Sequence, residues 1–546
     1  MKRNLFPLCL LILLTLNAVA LFSCGGDKDA PDQQKAPASS GTRLTIVSGS
    51  ENKGLEPLIM AFARKKGAAI DIDYMGSVDM TLMLAEKGKD LPYDAVWPAN
   101  TLWITLGDAH NAVKKAESIM RSPVALGVKK PVAERLGWID KEIAIPDILE
   151  AAKAGKLRFA MTSATQSNSG ASAYIGFLYA FSGASESGSV LQMEHLEKPA
   201  VQDKVRDLLS RVNRSSGSSG WLKETLVQHY ERFQAMFNYE AMIIEANQEL
   251  TAQGKPPLYA VYPTDGIMIA DSPLGYVDKG DAEKAALFDA LQAYLLSPEV
   301  QDEIMNQGRR TGLVGINPDK VDKSVFNPAW GIDVNRIISP VPTPGEPVIR
   351  KALSLYQVSL RKPSLTAYVV DVSGSMKGQG LADLKDAMTT LLDPDLARRY
   401  MLQASDKDIH IVLPFNSAPQ DGVKAQGNSA DVLSGLMAFV QGLQAGGGTN
   451  IYAAAAKGLE LIAGVENMED YFPAVILMTD GQSKGTVADL SAAIRKTPMG
   501  ADIPIFSITF GDADERQLRE ISEMTVGRVF PGKNLIEAFR SAKGYN

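Results

Sequence analysis

The chain has 546 residues, too many for a single hydrophobic core, and roughly 100–200 residues per domain predicts two to four domains. Hydrophobic residues make up 45% and charged residues 22% of the chain, proportions that are ordinary for a soluble globular protein. The formal net charge is only −7 and no Arg/Lys-rich run is present, which argues against nucleic acid as a partner.

The first predicted element is an export signal over residues 1–23. A short basic start, MKRN, precedes an apolar run over residues 5–22, and the run ends in LFSC. This order is typical of a secretory signal. LFSC resembles the lipobox of bacterial lipoproteins, although Phe22 is bulkier than the residue usual there. The resemblance implies cleavage before Cys24 and a lipid on Cys24; an uncleaved N-terminal anchor is the alternative.

Cysteine content favours the lipoprotein interpretation. Of the two cysteines, Cys9 lies in the segment to be removed, so Cys24 has no partner for an intramolecular disulfide. A lipid there would attach the chain to a membrane without spanning it. Gly25, which follows Cys24, is not an acidic retention residue, so in a bacterium with two membranes the preferred location is the outer membrane, facing the periplasm or the cell surface.

The next segments are a tether and a first α/β region. Residues 24–42 are rich in Gly, Pro, Ser, Gln and charge, which predicts a flexible tether. Over residues 43–338 apolar strand candidates alternate with segments of helical spacing, and the turns VSGSENKG, YMGS and ATQSNSGASA carry Ser, Thr or Gly. This alternation predicts a mostly parallel sheet covered by helices on both faces. Residues 214–220, RSSGSSG, are predicted to be a surface loop.

This first region resembles a two-lobed solute-binding protein of the periplasmic type. TSATQSNSGASAYIGFLYAF resembles the opening of that family's second lobe, and YPTDGIMIADSPLGYV resembles its crossover return. The resemblance implies a small-molecule ligand in the cleft between the lobes, with closure by a hinge motion. Helix starts with hydroxyl groups bind anions or polar ligands. The candidate ligand contacts are Ser48, Ser50, Ser77, Ser167, Ser169 and Asp265.

Each of these serines has an alternative role as an ordinary N-cap or turn residue. Glu240 is a weaker candidate contact and is predicted to lie on a helix surface or to cap a helix. Trp97 and Trp103 are predicted to fill a lobe core rather than to wall the cleft.

A linker and a second α/β domain complete the chain. Prolines and a glycine in SPVPTPGEPV predict an interdomain linker over residues 339–361. Residues 362–546 again alternate strands and helices, which predicts a doubly wound, Rossmann-like domain. In such a sheet, ligand sites form outside the carboxyl ends of the strands. Two carboxylates and three hydroxyls are predicted there: Asp371, Ser373, Ser375, Thr449 and Asp480.

Carboxylate and hydroxyl oxygens suit a hard divalent cation such as Mg²⁺, which retains several waters and needs few protein ligands. Hydroxyls are poor ligands for Zn²⁺, and His410 is predicted in or at the start of a strand, away from this edge. DVSGS alone could equally cap a helix.

The order DVSGS, GGGTN and MTDG resembles the metal-ion-dependent adhesion site of von Willebrand factor A (VWA) domains. The resemblance implies direct metal contacts from Ser373, Ser375 and Thr449, and contacts mainly through water from Asp371 and Asp480. It also implies an open position for a carboxylate from a protein partner. The expected metal is Mg²⁺, with Mn²⁺ or Ca²⁺ as alternatives. The sequence departs from the pattern of VWA domains at Val526, where many members of the family have another glycine.

The sequence predicts a binding protein and not an enzyme, since neither a His-Glu-x-x-His nor a Gly-Lys-Ser/Thr motif is present. The predicted function is that of a lipid-anchored envelope protein that binds a protein partner through its metal and a small ligand through its first domain. Alternatives are the substrate-binding component of an ABC-type transporter, with the VWA domain as a docking module, and an assembly factor that recruits another envelope protein.

Overall fold

A computed structural model of the chain describes residues 41–312, 321–480, 483, 486–510, 515–532 and 535–544. The predicted signal peptide, the predicted lipidation site Cys24 and most of the predicted tether lie outside these residues. Within them, no helix combines the length and the apolar character needed to cross a bilayer.

The strands of the described residues are numbered β1 to β17 in chain order. They are β1 Arg43–Ser48, β2 Ala69–Tyr74, β3 Ala95–Trp97, β4 Val113–Ser118, β5 Ser122–Lys129, β6 Phe159–Thr162, β7 Val212–Ser216, β8 Ala235–Tyr239, β9 Leu258–Val261, β10 Ile269–Ala270, β11 Pro273–Val277, β12 Ser364–Asp371, β13 Ile409–Phe415, β14 Val423–Gln426, β15 Phe472–Thr479, β16 Ile505–Thr509 and β17 Val529–Pro531.

The α-helices are numbered in the same way. They are α1 Glu56–Lys66, α2 Ser77–Lys87, α3 Thr101–Gly107, α4 Lys130–Leu136, α5 Ile145–Lys153, α6 Asn168–Ser182, α7 Met193–Glu197, α8 Pro199–Ser210, α9 Ser219–Gln228, α10 Glu240–Ala252, α11 Ala282–Leu295, α12 Pro298–Asn306, α13 Glu346–Leu355, α14 Gln379–Leu392, α15 Pro394–Arg399, α16 Ala430–Gln441, α17 Ile451–Ala463, α18 Val487–Lys496, α19 Glu515–Glu523 and α20 Leu535–Gly544. Short 3₁₀ helices span Ser50–Leu55, Gly88–Asp90, Tyr230–Arg232, Pro328–Trp330, Met468–Asp470 and Gly500–Asp502, and Tyr356–Leu360 forms a π-helical turn.

The first α/β region consists of two lobes, each built on its own sheet. Lobe 1 has the strand order β2-β1-β3-β11-β4, and lobe 2 has the order β10-β5-β8-β6-β7 with β9 paired to β5. The chain leaves lobe 1 after β4, forms lobe 2, and returns through β11, which is antiparallel to β3 and β4. This return is the crossover that YPTDGIMIADSPLGYV predicts.

The C-terminal domain has a single sheet with the order β14-β13-β12-β15-β16-β17. All of its neighbouring strands run parallel except β14, which is antiparallel to β13. Strand β12 is buried along its whole length. Because β12 is central and covered on both faces, its apolar run LTAYVV is continuous rather than alternating.

The predicted linker over residues 339–361 contains a helix. Val348, Ile349, Ala352 and Leu353 of α13 are buried, and they join the core of lobe 2. Tyr174 of α6 donates a hydrogen bond to the backbone oxygen of Ala352 at 2.8 Å. The prolines predicted a break in structure at this point, but the apolar residues after them recur at helical spacing and attach the segment to lobe 2.

Gly170 brings the start of α6 close to the end of β6. A Cβ at Gly170 would lie 2.0 Å from the backbone oxygen of Thr162, whereas a Cβ at Gly435 in α16 would meet nothing within 4 Å. Alanine substitutions at these two glycines therefore separate the effect of helix propensity on stability from the effect of steric overlap.

Gly170→Ala should lower the free energy of unfolding by about 1–3 kcal/mol, because the overpacking exceeds the gain in helix propensity. Gly435→Ala should raise it by up to about 1 kcal/mol, because only the propensity term acts. Denaturant unfolding of the two variants beside the wild type measures both changes, and equal stabilisation by both substitutions would contradict this packing.

Candidate functional site

The end of β12 lies beside the end of β15. The two strands are parallel, with Val370 opposite Met478, so Asp371 and Thr479 end neighbouring strands at one edge of the sheet. Asp480 follows Thr479 directly. The parallel register therefore brings together two segments that are about a hundred residues apart in sequence.

Asp371 is buried and holds the first loop in place. One carboxylate oxygen, Oδ1, accepts a hydrogen bond from the Ser373 backbone N–H at 2.7 Å, and Oδ2 accepts one from the Thr479 hydroxyl. Burial raises the pKa of Asp371 and outweighs these hydrogen bonds, and the charge of Asp480 acts in the same direction. A cation at this edge would offset the cost of keeping both carboxylates ionised.

Three side-chain oxygens at this edge form a chain of close contacts centred on Ser375. The Ser373 and Ser375 hydroxyls are 3.0 Å apart, and the Ser375 hydroxyl donates to Asp480 Oδ1 at 2.8 Å. Neighbouring ligand oxygens around an octahedral Mg²⁺ are about 2.9 Å apart, because each Mg–O bond is about 2.0–2.1 Å. The donor set and its spacing thus fit a small hard cation. Ser375 is exposed, so this site opens to solvent.

The donor atoms at this edge differ from those of a metal site built from His, Cys and carboxylate side chains. Within the described ranges, no three or more His, Cys, Asp or Glu side chains gather into a group that could hold a metal. The oxygens at the β12–β15 edge come mainly from hydroxyls, which suits Mg²⁺ better than Zn²⁺.

Thr449 lies in a glycine loop that is tied to the first loop by backbone hydrogen bonds. Gly446 N–H donates to the Val372 oxygen at 2.8 Å, and Gly374 N–H donates to the Gly447 oxygen at 3.0 Å. Thr449 directly precedes Asn450, which caps α17. The structure therefore places the loops of all five predicted metal residues at one edge.

Sequence reasoning missed the residues that support the glycine loop. Asn416 Nδ2 donates to the Gly446 oxygen at 2.9 Å, and the Ser417 hydroxyl accepts from Gly448 N–H at 2.9 Å. Ser483 accepts from the Ile451 N–H at 3.0 Å and donates to the Thr449 oxygen at 3.4 Å. Asn416 and Ser417 follow β13 directly, so the rule that sites form at strand carboxyl ends could have identified them.

The serines predicted to contact a solute mostly bond within their own lobes. Ser48 accepts from Asn52 Nδ2 at 3.1 Å, and Ser77 accepts from the Ala99 N–H at 3.0 Å. Ser169 lies 2.8 Å from the Thr162 hydroxyl and 3.3 Å from that of Ser167, which occupies the N-cap position of α6.

Ser50 bonds across the cleft to lobe 2. Its hydroxyl accepts from the Ser218 hydroxyl at 2.8 Å and from the Gly220 N–H at 3.0 Å. The prediction of a surface loop at residues 214–220 is therefore wrong, because this segment is the end of β7 and the start of α9. Its small Ser and Gly side chains permit close approach of the lobes, a use of that composition which the sequence alone did not reveal.

Asp265 lies apart from these serines. Its Oδ1 accepts from the Ile145 N–H at 2.9 Å, so it caps the start of α5 within lobe 2. Burial raises its pKa. The structure thus does not bring Asp265 together with Ser50 and Ser77.

Glu240 is fully buried, so its predicted place on a helix surface is wrong. Arg310 donates two hydrogen bonds to its carboxylate, both at 2.8 Å, and Tyr262 donates a third. The tryptophans are buried as predicted, but Trp103 Nε1 also donates to Asn168 Oδ1 of lobe 2 at 2.7 Å.

The contact between the lobes includes a buried glutamate that the sequence did not single out. Glu51 Oε2 accepts from the Ser219 hydroxyl of lobe 2 at 3.1 Å, and Arg309 donates to the Glu51 backbone oxygen at 2.7 Å. Burial raises the pKa of Glu51. The cavity here is only about 10 Å³, close to the volume needed for one water molecule. The lobes therefore meet directly in this conformation.

Comparison with protein families agrees with this architecture. Residues 44–310 match the family described as bacterial extracellular solute-binding protein, and residues 367–538 match the von Willebrand factor type A domain. The chain joins a solute-binding domain to a VWA domain. The predicted two-lobed domain followed by a doubly wound domain, and both predicted resemblances, are confirmed.

Individual similar proteins match the two halves separately. Inter-alpha-trypsin inhibitor heavy chain H1 from Bos taurus is 26% identical over 171 residues, which are 30% of this chain, and the match spans only 18% of that relative's length. The sulfate-binding protein SubI from Mycobacterium tuberculosis is 18% identical with a TM-score of 0.39, covering 56% of this chain and 92% of its own. A von Willebrand factor type A protein from Catenulispora acidiphila is 19% identical with a TM-score of 0.28, covering 34% of this chain and 43% of its own.

The Asp371 carboxylate should stabilise the VWA domain even when a chelator removes divalent metal. Asp371→Ala leaves the Ser373 N–H and the Thr479 hydroxyl without their buried acceptor, so the free energy of unfolding should fall by about 1–3 kcal/mol. Asp386→Ala, at an exposed position of α14, is the matched control and should change stability by less than about 0.5 kcal/mol. Denaturant unfolding with chelator present tests both, and equal effects would contradict the role assigned to Asp371.

Proposed function

We propose that the protein binds a protein partner through a divalent cation held at the carboxyl edge of its VWA sheet. Mg²⁺ is the first choice, with Mn²⁺ or Ca²⁺ as alternatives. The observation that carries this proposal is the set of Ser373, Ser375 and Asp480 oxygens, which lie 3.0 and 2.8 Å apart at an edge open to solvent. Asp371 and Thr449 would complete the set that holds the ion.

The chemistry of the donor set favours a partner with a carboxylate. Only Asp371 and Asp480 carry negative charge, and the other donors are neutral hydroxyls. When bound, the cation would supply a point of positive charge at the surface, and a carboxylate from another protein would complete its shell. The ion would then couple its own affinity to that of the partner.

The placement of the VWA domain supports this use of the edge. The starts of β12 and β15, at Ser364 and Phe472, line a small cavity together with Ser163 and Thr165 of lobe 2. The amino edge of the VWA sheet is therefore the edge that docks on the solute-binding domain. Its carboxyl edge, with Ser375, points away from that junction and remains accessible.

The solute-binding domain supports a second role within the same proposal, the binding of a small molecule between its lobes. Its family match over residues 44–310 also favours the alternative of a substrate-binding component of an ABC-type transporter, with the VWA domain as a docking module. We propose a binding role in either case and no catalytic one.

The metal should bind through the predicted residues. Titration of the purified full chain with Mn²⁺, followed by electron paramagnetic resonance, should detect one site per chain, and Asp480→Ala and Ser373→Ala should weaken it by about tenfold or more, since each removes a donor. Asp386→Ala should bind Mn²⁺ as the wild type does. Equal Mn²⁺ affinity in all four proteins would refute the site.

Capture of a protein partner tests the second half of the proposal, that the bound metal is needed for partner binding. Pulldown from envelope extract should recover a protein with the wild type in Mg²⁺, lose it with chelator, and recover it when Mg²⁺ is restored. Asp480→Ala should not recover it under any of these conditions. Recovery that is indifferent to chelator would separate partner binding from the metal.

We also propose that a lipid on Cys24 anchors the mature chain to the cell envelope, on the grounds of the lipobox-like LFSC sequence. Cys24→Ser should move the protein from the membrane fraction to the soluble fraction, whereas Cys9→Ser should not. Fractionation with immunoblotting measures this difference. Membrane association of Cys24→Ser equal to the wild type would favour the uncleaved anchor.

A further inference from the structure

Arg540 of the VWA domain is a buried arginine at the junction with the solute-binding domain. It lies on α20 and is 5% exposed. Its Nε pairs with Asp79, its Nη2 donates to the Thr165 backbone oxygen at 2.7 Å, and its Nη1 donates to the Tyr400 backbone oxygen. All three nitrogens of the guanidinium therefore have acceptors.

Two of these acceptors belong to the solute-binding domain, one in each lobe. Asp79 is in the first turn of α2 in lobe 1, and Thr165 is in the turn before α6 in lobe 2. The backbone oxygen of Arg540 in turn accepts from Gln166 Nε2. A single residue of the VWA domain thus binds the two strand-to-helix turns that face each other across the cleft.

The lobes are in direct contact beside Arg540. Val78 N–H donates to the Gln166 oxygen at 3.1 Å, and a Cβ at Gly76 would lie 2.3 Å from the same oxygen. A hinge motion that opens the cleft moves Asp79 away from Thr165. One guanidinium cannot remain bonded to both, and it would lose an acceptor while buried, which is unfavourable.

The VWA domain is held firmly to lobe 2. Arg214 donates to the Val526 oxygen at 2.8 Å, and Arg232 pairs with Asp502 at 2.9 Å. The linker helix α13 is also part of the lobe 2 core. These contacts tie the VWA domain to lobe 2, and Arg540 reaches Asp79 of lobe 1 from that side.

The VWA domain also forms a third wall at the mouth of the cleft. A cavity of about 610 Å³ is lined by Lys53 and Tyr74 of lobe 1, Trp221 of lobe 2, and Phe530 and Glu537 of the VWA domain. A solute that approaches the cleft from this side meets β17 and α20 before it meets the turns of α2 and α6.

We propose that α20 of the VWA domain, through Arg540, clamps the two lobes of the solute-binding domain in their closed conformation. Lobe closure is then controlled by the docking of α20, and opening for solute exchange requires the Arg540–Asp79 contact to break. The proposal uses no metal and is independent of the proposed partner-binding function.

Amide hydrogen exchange in the full chain tests the clamp. Two amides report on the closed cleft, because Val78 N–H and Gly220 N–H donate across it to Gln166 and Ser50. Arg540→Met keeps most of the alkyl stem and removes the charge, and it should accelerate exchange at both amides by about tenfold or more. Asp79→Asn should produce the same acceleration from the lobe 1 side.

Arg399→Met is the matched control. Arg399 and Glu86 form an exposed pair at 3.4 Å between the VWA domain and lobe 1, so its loss should leave both amides within about twofold of the wild type. The double variant Arg540→Met/Asp79→Asn should exchange no faster than either single variant, because both remove one contact.

Two results would overturn the clamp. One is unchanged exchange at Val78 and Gly220 in Asp79→Asn, the variant with the smaller structural perturbation. The other is equal acceleration at Ile46 and Leu126, which lie inside the lobe sheets, because that pattern reports general destabilisation rather than opening of the cleft.

Discussion

The buried Arg361–Asp408 ion pair fixes how the VWA domain sits on the rest of the chain. Arg361 follows the turn Tyr356–Leu360, which packs into lobe 2, and its guanidinium donates to both Asp408 oxygens at 3.1 and 2.5 Å. Burial alone would raise the pKa of Asp408, but Arg361 holds it well below its ordinary value. Removing one partner of such a pair costs about 3–5 kcal/mol. The amino edge of the VWA sheet is thereby held against lobe 2.

Both proposed activities follow from this orientation. A parallel sheet has distinct edges, so a docked amino edge leaves the carboxyl edge, with Ser375, exposed. Helix α20 follows β17, whose carboxyl end is at the same edge of the sheet as Ser375, and runs back toward the junction, where Lys543 lines the small cavity beside Arg361. Because α20 runs in this direction, Arg540 lies at the junction with the two lobes.

The turns that carry the candidate metal residues could be placed from the sequence because each follows directly on a strand. Asp371, Ser373 and Ser375 share one turn, and the strand that precedes each loop shows where the loop begins. The cross-lobe contacts were not predictable in this way. Ser50 and Ser218 are 168 residues apart, and Asp79 and Arg540 are 461 apart, so no spacing relates them.

Composition was misleading where small residues serve packing. RSSGSSG has the composition of a loop, but β7 and α9 use it to let two lobes approach. Glu240 has the local context of a helix surface, but Arg310 supplies its partner from a distant segment that joins the lobes. Pairing across a fold decides such positions, and it is invisible in a single sequence.

The energetics of the cleft explain why one arginine is sufficient to bias it. Each neutral hydrogen bond across the lobes, such as that from Ser218 to Ser50, contributes only about 0.5–1.5 kcal/mol, because opening replaces it with a bond to water. Serine hydroxyls that form hydrogen bonds between the lobes can form equally good hydrogen bonds with water when the cleft opens. A buried guanidinium behaves differently, because a charged group that loses its acceptor while it stays buried costs more free energy than a neutral one. The position of the hinge equilibrium then depends on buried charged contacts, and the Arg540–Asp79 contact is the one that the VWA domain supplies.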